Sequence, residues 1–423
     1  MIQTDCSRYC ELLKKELLPA LGCTEPGAVG YAAAKAADVL GCFPEFLDIY
    51  CSANIIKNVK SVNVPNSKGM KGIAPAAVLG LISGDPDDSL EIFKLADDAA
   101  IEKTKKLLGE GFCRVHLKED EGSLYINAIA TCGDDVAGVI IKDTHTNIVE
   151  INRNGVILYG GPNEAPEETD GGYDDFITVE GILDYVESAD WGCLKGIMEV
   201  QVDVNIAIAE EGLKGDYGSS VGKTLLEACG NDIKVRAKAK AAAGSDARMG
   251  GSSMAVVINS GSGNQGITLT VPVVEYAREL HTGEEKMYRA MAIANLVSIY
   301  IKSRIGKLSA FCGAVSAACG AGAAITYMEG GGYEDICSTI TSTIANVGGI
   351  VCDGAKGSCA AKIASSIDAA IMANEMTKMG RCFPACDGIV GRDIEETIEN
   401  FGRVGREGML QTDLCIMQIM LGC

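Results

Sequence analysis

Aromatic residues are scarce in this sequence of 423 residues, where they make up 5% of the chain and include one tryptophan. Apolar residues nevertheless account for 47%, and 51 residues are glycine. Small side chains let helix backbones approach closely, so we expect tightly packed helices. A chain of this length can bury a large core and is expected to form two domains.

Histidine is also rare, and its positions exclude the common zinc motifs. The chain has 3 histidines, His116, His145 and His281, and none stands in a spacing such as HExxH. We interpret them mostly as surface or structural residues. A GxSxG nucleophile elbow is absent as well, which argues against a serine hydrolase.

Positive charge is in short supply, with 37 Lys and Arg against 57 Asp and Glu and a net charge of −20. Nucleic acid and anionic membrane both need a basic surface, so we expect neither as a partner. Residues 1–15 lack an apolar run of signal-peptide type. The uncharged stretch 308–328 is rich in Ala, Gly, Ser and Cys, which favours a buried helix over a membrane span. Together these features predict a cytoplasmic protein.

Cysteine, by contrast, is abundant, with 18 residues in the chain. Without signs of secretion these thiols are expected to be reduced. Cys352 and Cys359 flank a glycine-containing loop that leads into a helix, where backbone N–H groups can bond cluster sulfurs. Cys312 and Cys319 lie seven apart on one helical face, and either could join that pair. Cys382 and Cys386 form a further loop pair, and spacing alone does not decide among these thiols.

The order of patterns along the chain predicts an α+β fold. Helices are expected at 5–21 and 27–40, a strand at 46–51, a polar turn at 54–60 and a short strand at 62–64. Alternating β runs follow between 113 and 159, and beyond an acidic linker at 160–175 nearly everything is helical. We therefore predict a small, mostly antiparallel sheet with helices in an N-terminal domain, 1–160, and a mainly helical domain, 161–423.

The segment 21–26, LGCTEP, places a thiol at the start of a helix. Gly22 can end one helix, and Thr24 is a good N-cap for the next. Cys23 would then lie beside unpaired N–H groups and a positive dipole end, which lowers a thiol pKa. The alternative is a small buried apolar residue at a helical corner. A carboxylate at Glu25 would oppose ionisation of the thiol unless it points away or is paired.

The glycine-rich segment 261–266 matches GxGxxG after the apolar run 255–258. A dinucleotide fold needs an uninterrupted helix after the third glycine, and Pro272 falls inside it, so we reject that interpretation. Binding of a carboxylate to backbone N–H groups remains a hypothesis. In the preceding segment, 245–251, Arg248 either clamps a substrate carboxylate or pairs with Asp246 to fix a turn.

Eight segments in order along the chain carry a resemblance to a known family. They are LGCTEP (21–26), SANIIKN (52–58), HTNI (145–148), SDARMGG (245–251), NSGSGNQGIT (259–268), LSAFCGA (308–314), CDGAKGSCA (352–360) and QTD (411–413). Together they resemble the PLP-independent L-cysteine desulfidase family, relatives of the catalytic chain of iron–sulfur L-serine dehydratases. The resemblance spans essentially the whole chain.

The resemblance implies a [4Fe–4S] cluster on Cys312, Cys352 and Cys359, with one iron open, and no PLP. It implies that Cys23 is the base. It also implies a substrate-binding set made of Asn54, Lys57, Asn58, Arg248, Ser262, Gly263 and Asn264. The expected reaction converts L-cysteine to hydrogen sulfide, ammonia and pyruvate. The substrate sulfur is expected to bind the open iron, which acts as a Lewis acid. In the serine dehydratase relatives a C-terminal cysteine can fold back onto that iron, whereas we expect Cys423 to be a free terminal residue.

Other functions remain open at this point. The same scaffold could act on L-serine or another β-substituted amino acid, or it could bind an iron–sulfur cluster or persulfide without catalysis. Lys57 and Lys356 are conceivable Schiff-base lysines of a PLP enzyme, although no PLP-type fold is visible. The many small residues on helical surfaces are compatible with a homodimer.

Overall fold

The computed structural model describes residues 2–118, 121, 124–160, 176–306 and 309–421. Within these ranges the N-terminal part combines a sheet with helices, and the rest is mainly helical, which confirms the predicted α+β class. The proposed linker lies almost wholly outside the described residues, so the boundary between 160 and 161 stays a prediction.

The N-terminal part contains five helices and seven strands among its described residues. The helices are α1 (Ile2–Glu16), α2 (Thr24–Leu40), α3 (Ala53–Val59), α4 (Ile73–Ser83) and α5 (Asp98–Gly109). The strands are β1 (Pro19–Leu21), β2 (Phe46–Cys51), β3 (Cys113–Leu117), β4 (Tyr125–Cys132), β5 (Asp135–Lys142), β6 (Ile148–Arg153) and β7 (Val156–Gly160).

The remaining part adds helices around one short strand, β8 (Ala255–Val257). Its helices are α6 (Val179–Ser188), α7 (Trp191–Lys214), α8 (Val221–Cys229), α9 (Ile233–Met249), α10 (Gly263–Glu279), α11 (Glu284–Ile305), α12 (Gly313–Met328), α13 (Tyr333–Val347), α14 (Cys359–Lys378), α15 (Ile394–Arg403) and α16 (Leu410–Leu421).

The main sheet has the strand order β3-β2-β4-β5-β6-β7. Only the β2–β3 pair is parallel, and the other neighbours run antiparallel. Helix α2 packs on β4 and β5 and against α4. A Cβ on Gly80 would come within 2.5 Å of the Gly30 Cα, so α2 and α4 cross as closely as two helix backbones can.

The helical part is packed around α12, which contacts α10, α11, α13 and α14. Most of α12 is buried alanine, glycine and serine, and a Cβ on Gly320 would lie 2.2 Å from the Ala294 carbonyl oxygen. This confirms the expected close packing of small residues. No helix among the described residues is long and apolar enough to cross a membrane.

Several sequence predictions around the start of the chain were wrong. Helix α1 ends at Glu16 rather than at residue 21, because Pro19 cannot continue a helix, and 19–21 instead pair antiparallel with β8. Residues 53–59 form a helix rather than a polar turn, since Ile55 and Val59 bury one helical face. The strand expected at 62–64 is reduced to a single bridge between Asn63 and Lys71.

Two further predictions concerned the N-cap of α2 and the effect of Pro272 on α10. The N-cap of α2 is Cys23, and Thr24 is already helical. Helix α10 runs through Pro272 without ending, so the proline argument against a dinucleotide fold was wrong. Helix α10 is buried on nearly every side, and this burial offsets the loss of the backbone hydrogen bond that Pro272 cannot make. The rejection itself holds on other grounds, because β8 pairs antiparallel with β1 and forms no βαβ unit within the described chain.

Candidate active site

A cavity of about 330 Å³ opens where segments from both parts of the chain meet. It is bounded by the start of α2, by α3, by the loop before α10, by the start of α12 and by the loop before α14. The predicted residues that line it are Cys23, Lys57, Asn58, Arg248, Ser262, Asn264, Cys312, Cys352 and Cys359. Asn54 and Gly263, which were also predicted, do not line this cavity.

Three thiols converge at one end of the cavity. Cys312 is the N-cap of α12, and Cys359 is the first residue of α14. The backbone N–H of Cys312 donates to Ile350 O at 2.9 Å, and that of Cys352 donates to Ala310 O at 2.6 Å. A bridge between Phe311 and Val351 completes this short ladder, which fixes the Cys312 and Cys352 loops side by side.

The electrostatics of the three thiols show that they are close neighbours. Burial, with smaller contributions from the neighbouring Cys352 and Cys359 sulfurs, raises the pKa of Cys312 to about 12. Burial likewise raises the pKa of the Cys359 thiol, although the Lys356 backbone N–H, 3.5 Å from the sulfur, opposes this rise. As free thiols Cys312 and Cys359 would therefore stay protonated, and a bound cation would favour their thiolate forms.

Lysine side chains lie beside the thiols. Lys302 is fully enclosed, and burial lowers its pKa to about 8 even though Cys352 and Cys312 act in the opposite direction. Lys362 donates to Val351 O at 2.7 Å and also pairs with Asp353 in the Cys352 loop. These cations can offset the negative charge of thiolates gathered at this end of the cavity.

The other candidate cysteines are not part of the cavity lining. Cys319 faces the core of the helical part and is fully buried. Cys382 and Cys386 are exposed. Cys423 lies outside the described residues. Among the described residues no three His, Cys, Asp or Glu side chains are grouped closely enough to bind a single metal ion. A cluster differs in this respect, because each thiolate binds a different iron and the sulfurs lie farther apart.

Cys23 faces the same cavity from the start of α2. The expected lowering of its pKa was wrong, because burial raises the pKa well above the ordinary value and Glu25 adds to the effect. The guanidinium of Arg248 only partly opposes this. The Cys23 Sγ donates to Glu25 Oε2 at 2.9 Å, so the resting group is a thiol that shares its proton with a carboxylate.

Glu25 makes contacts through both of its carboxylate oxygens. Its Oε1 accepts from Asn58 Nδ2 at 3.0 Å and lies 4.0 Å from His145 Nε2. Burial alone would raise its pKa, but His145 and the Cys23 thiol more than compensate, and the pKa is lowered. Glu25 is therefore ionised, and its charge is turned toward Cys23 rather than away from it.

His145 lies in the turn between β5 and β6 of the main sheet, and its side chain lines the cavity. A Cβ on Gly261 would meet the imidazole at 3.3 Å, so His145 packs against the glycine loop. Of the three histidines, which we interpreted mostly as surface or structural residues, His145 therefore lies at the cavity. His116, in contrast, pairs with Asp48 at 2.8 Å on the sheet.

Arg248 lies in the last turn of α9 and is 3% exposed. Its Nε donates to Gly22 O at 2.9 Å, while its two terminal nitrogens make no hydrogen bond with the described residues. The alternative pairing with Asp246 was wrong, because that carboxylate accepts from the backbone N–H groups of Ser219 and Gly222. Gly263 leaves room for this arrangement, since a Cβ there would lie 2.7 Å from Arg248 Nε.

A buried network of amide side chains holds the glycine-rich segment 261–266 in place. Asn259 Nδ2 donates to Asn295 Oδ1 at 3.0 Å, and Asn295 in turn bonds Gln201. Asn259 Oδ1 accepts from Ser298 at 2.9 Å. These bonds join α7, α11 and the loop, so they fix the position at which α10 begins at the cavity.

Lys57 is held in an ion pair rather than left free for a ligand. Its Nζ lies 2.5 Å from Asp413 Oδ1, and its side chain is 2% exposed. Lys356, the other conceivable Schiff-base lysine, pairs with Asp353 at 2.5 Å. Neither amine is therefore presented unpaired to a carbonyl cofactor.

Five residues at the site escaped the sequence analysis as site residues: Glu25, His145, Gln265 and Lys302 line the cavity, and Asp413 pairs with the cavity residue Lys57. Four of these lie inside the segments that carry the resemblance, namely Glu25 in LGCTEP, His145 in HTNI, Gln265 in NSGSGNQGIT and Asp413 in QTD. That recurrence was the available signal. Lys302 belongs to α11, which is buried on all sides from Ala290 to Ser303, and nothing in its local sequence marks it.

The class of the protein follows from its similarity to known families. A family model described as the serine dehydratase alpha chain matches residues 88–418, and the chain belongs to this family. A dehydratase is a lyase, so membership supports the lyase class and the iron–sulfur type expected from the sequence. It does not identify cysteine as the substrate.

Relatives match over nearly their full length. A UPF0597 protein of Lachnoclostridium phytofermentans is 49% identical over 98% of this chain and 99% of its own. A UPF0597 protein of Desulfitobacterium hafniense is 46% identical over 98% of this chain and 96% of its own. A UPF0597 protein of Finegoldia magna is 44% identical over 98% of this chain and 99% of its own.

Proposed function

We propose that this protein is a [4Fe–4S]-dependent lyase that converts L-cysteine to hydrogen sulfide, ammonia and pyruvate. The observation that carries the proposal is the meeting of Cys312, Cys352 and Cys359 at one end of a cavity that Cys23 and Arg248 also line. The residues that would hold the cluster, the substrate and the proton are thus all within one enclosed space.

The three thiols fit a cluster by their chemistry. Each comes from a helix start or a loop, the Lys356 N–H already points at the Cys359 sulfur, and Lys362 and Lys302 supply positive charge. When bound by three protein thiolates, such a cluster supplies an iron with an open position, which acts as a Lewis acid toward a leaving sulfur.

Arg248 is suited to hold the substrate carboxylate. Its Nε bond to Gly22 fixes the guanidinium plane and leaves two terminal nitrogens for a bidentate contact. The start of α10 adds the backbone N–H of Asn264 at the same wall of the cavity.

Carboxamide oxygens are suited to hold the substrate ammonium group. Asn58 Oδ1 and Gln265 Oε1 are buried and have no partner among the described residues. The Asn58 amide is oriented by its Nδ2, which faces the Glu25 carboxylate, so its oxygen must face the other way. An ammonium group would satisfy these acceptors.

Cys23 is suited to accept the Cα proton. The electron pair of the Cα–H bond then forms the Cα–Cβ double bond, and the Cβ–S bond breaks with its pair leaving on sulfur. The aminoacrylate released tautomerises and hydrolyses to pyruvate and ammonia. Without PLP there is no electron sink for a free carbanion, so proton removal and sulfur departure must be closely coupled.

The test compares anaerobically reconstituted protein with its cluster-free form on L-cysteine. We expect equal amounts of sulfide and pyruvate, formed only by the loaded protein. A fully loaded cluster that yields neither product would overturn the proposal. Cys23→Ala is expected to keep the cluster spectrum and lose turnover by at least ~100-fold, whereas Cys229→Ala, an exposed thiol at the end of α8, should match the wild type.

L-serine is the second candidate substrate, because the matching family is described as a serine dehydratase chain. The same cavity groups would bind its carboxylate and ammonium, and the leaving group would be a hydroxyl. Pyruvate formation from each amino acid, compared as kcat/KM on the loaded protein, decides between the two.

A further inference from the structure

Glu25 is a buried, ionised carboxylate that the chemistry described so far does not use. It is 8% exposed and belongs to the first turn of α2. An acidic residue there has an ordinary structural role, because it interacts favourably with the helix dipole. Its side chain, however, lines the cavity and is directed at Cys23.

The contacts of Glu25 divide between its two oxygens. Oε2 accepts from Cys23 Sγ at 2.9 Å and lies 3.1 Å from Thr24 Oγ1. Oε1 accepts from Asn58 Nδ2 at 3.0 Å and faces His145 Nε2 at 4.0 Å. The carboxylate is thereby fixed in one orientation, with Oε2 within hydrogen-bonding distance of the Cys23 thiol.

The surroundings of this pair favour a carboxylate at Glu25 and, through burial and the Glu25 charge, oppose a thiolate at Cys23, an effect that Arg248 only partly offsets. His145 and Arg248 both stabilise the charge of Glu25. Cys23 is raised in pKa, first by burial and then by Glu25 itself. A free thiolate at Cys23 is thus unfavourable in free energy. A mechanism in which Cys23 is already a thiolate before the substrate binds does not fit the site.

Building on the proposed lyase function, we propose that Glu25 takes the thiol proton of Cys23 in the same step in which Cys23 Sγ accepts the substrate Cα proton. Before the step the protons are on Cα and on Sγ. Afterwards the former Cα proton is on Sγ, and the former thiol proton is on Glu25 Oε2. The Cα–H electron pair has become the new double bond, and the Cβ–S pair has left with sulfur.

This relay avoids the buried thiolate. The Cys23 sulfur carries one proton before and after the step. The negative charge that disappears from Glu25 reappears on the departing substrate sulfur. Water takes the proton from Glu25 once the product has left, which restores the starting state. Glu25 acts through Cys23 and is a positioning residue rather than one that touches substrate.

The experiment uses the loaded protein under anaerobic conditions, with Glu25→Gln, Glu25→Asp and the matched surface control Glu11→Gln. Glu11 is exposed on α1. Without substrate, alkylation of Cys23 by iodoacetamide is followed against pH by peptide mass spectrometry. Removing the carboxylate charge is expected to lower the pH of half-modification by ~1–3 units, and Glu11→Gln is expected to leave it unchanged.

Turnover and proton exchange complete the test. Glu25→Gln is expected to lose about 100-fold in sulfide release and in exchange of the substrate Cα proton with deuterium from solvent. Glu25→Asp should recover part of both, because it keeps a carboxylate. A purely structural role would change cluster content or folding but not the alkylation profile.

Two results would overturn the relay: an unchanged alkylation profile in Glu25→Gln, or turnover of that variant within about twofold of wild type. Failure of the proposed function looks different, because the wild-type loaded protein would then release no sulfide. In that case the alkylation profile still decides whether the proton is shared, and the turnover arm is run with L-serine.

Discussion

Gln265 places a carboxamide at the wall of the cavity next to one of the proposed cluster ligands. It is 4% exposed, and its Oε1 has no partner among the described residues. A Cβ added to Gly313 would touch its carboxamide carbon at 2.5 Å, so the amide lies directly over the start of α12, one residue after Cys312. A buried acceptor in this position is expected to be satisfied by a ligand.

Gln265→Leu should therefore weaken substrate binding without affecting the cluster. We expect KM for the amino acid to rise about tenfold, which corresponds to the loss of one hydrogen bond to a charged group. Initial rates against substrate concentration, with the cluster absorption recorded on the same samples, provide the measurement. Gln418→Leu, an exposed change in α16, is the control. A change in the cluster spectrum with normal KM would assign Gln265 to the cluster end instead.

Single residues show where sequence reasoning stops. Cys312, Cys352 and Cys359 could be selected from their recurring segments, and they do line one cavity. The state of Cys23 could not be derived correctly, because the helix start that lowers a thiol pKa is visible in sequence whereas burial is not. Burial depends on distant segments, and here it exceeds the dipole effect.

At the scale of elements, the loop between Cys352 and Cys359 is held by its contact with α3. Gly354 has a φ of +91°, and a Cβ there would lie 2.6 Å from the Lys57 carbonyl oxygen. Both the backbone conformation and the close approach require glycine at this position. Gly357, in the same loop, has only an ordinary contact at 3.5 Å with Ser219 Oγ and no left-handed backbone.

Gly354→Ala is accordingly expected to displace the loop and Gly357→Ala to be tolerated. We expect Gly354→Ala to bind clearly less iron after anaerobic reconstitution and to lose about 1–3 kcal/mol of stability. Iron and sulfide per chain and the thermal midpoint of both variants are the measurements. Equal iron content in the two proteins would show that this loop does not position the thiols.

Element boundaries were most predictable where one period dominates. The alternating pattern between 113 and 159 indicated the strands now seen as β3 to β7. Helix α3 was missed because its polar residues, Asn54, Lys57 and Asn58, hide a short apolar face, and the last two are buried by contacts with other segments. Propensity alone reads such a stretch as a turn.

At the scale of the whole molecule, the cavity is closed by segments that are far apart in the chain. Strand β1 pairs with β8, and α16 packs on α3. Lys60 donates to the Met420 carbonyl oxygen, and Lys57 pairs with Asp413. The site therefore forms only when the two ends of the sequence come together, which is why residues such as Asp413 and His145 could not be placed from local patterns.

The Lys57–Asp413 pair should be the main electrostatic tie between α16 and the cavity. Lys57 is 2% exposed, so Asp413→Asn would leave a buried ammonium without a counter-charge, at a cost of about 3 kcal/mol. We expect a lower thermal midpoint of the loaded protein and faster proteolysis within α16. Glu102→Gln removes one partner of the exposed Lys105 pair, where the side chain is 73% exposed, and should change stability by less than about 0.5 kcal/mol. If both variants melted and were cleaved like wild type, the C-terminal helix would be held by its apolar contacts and not by this charge pair.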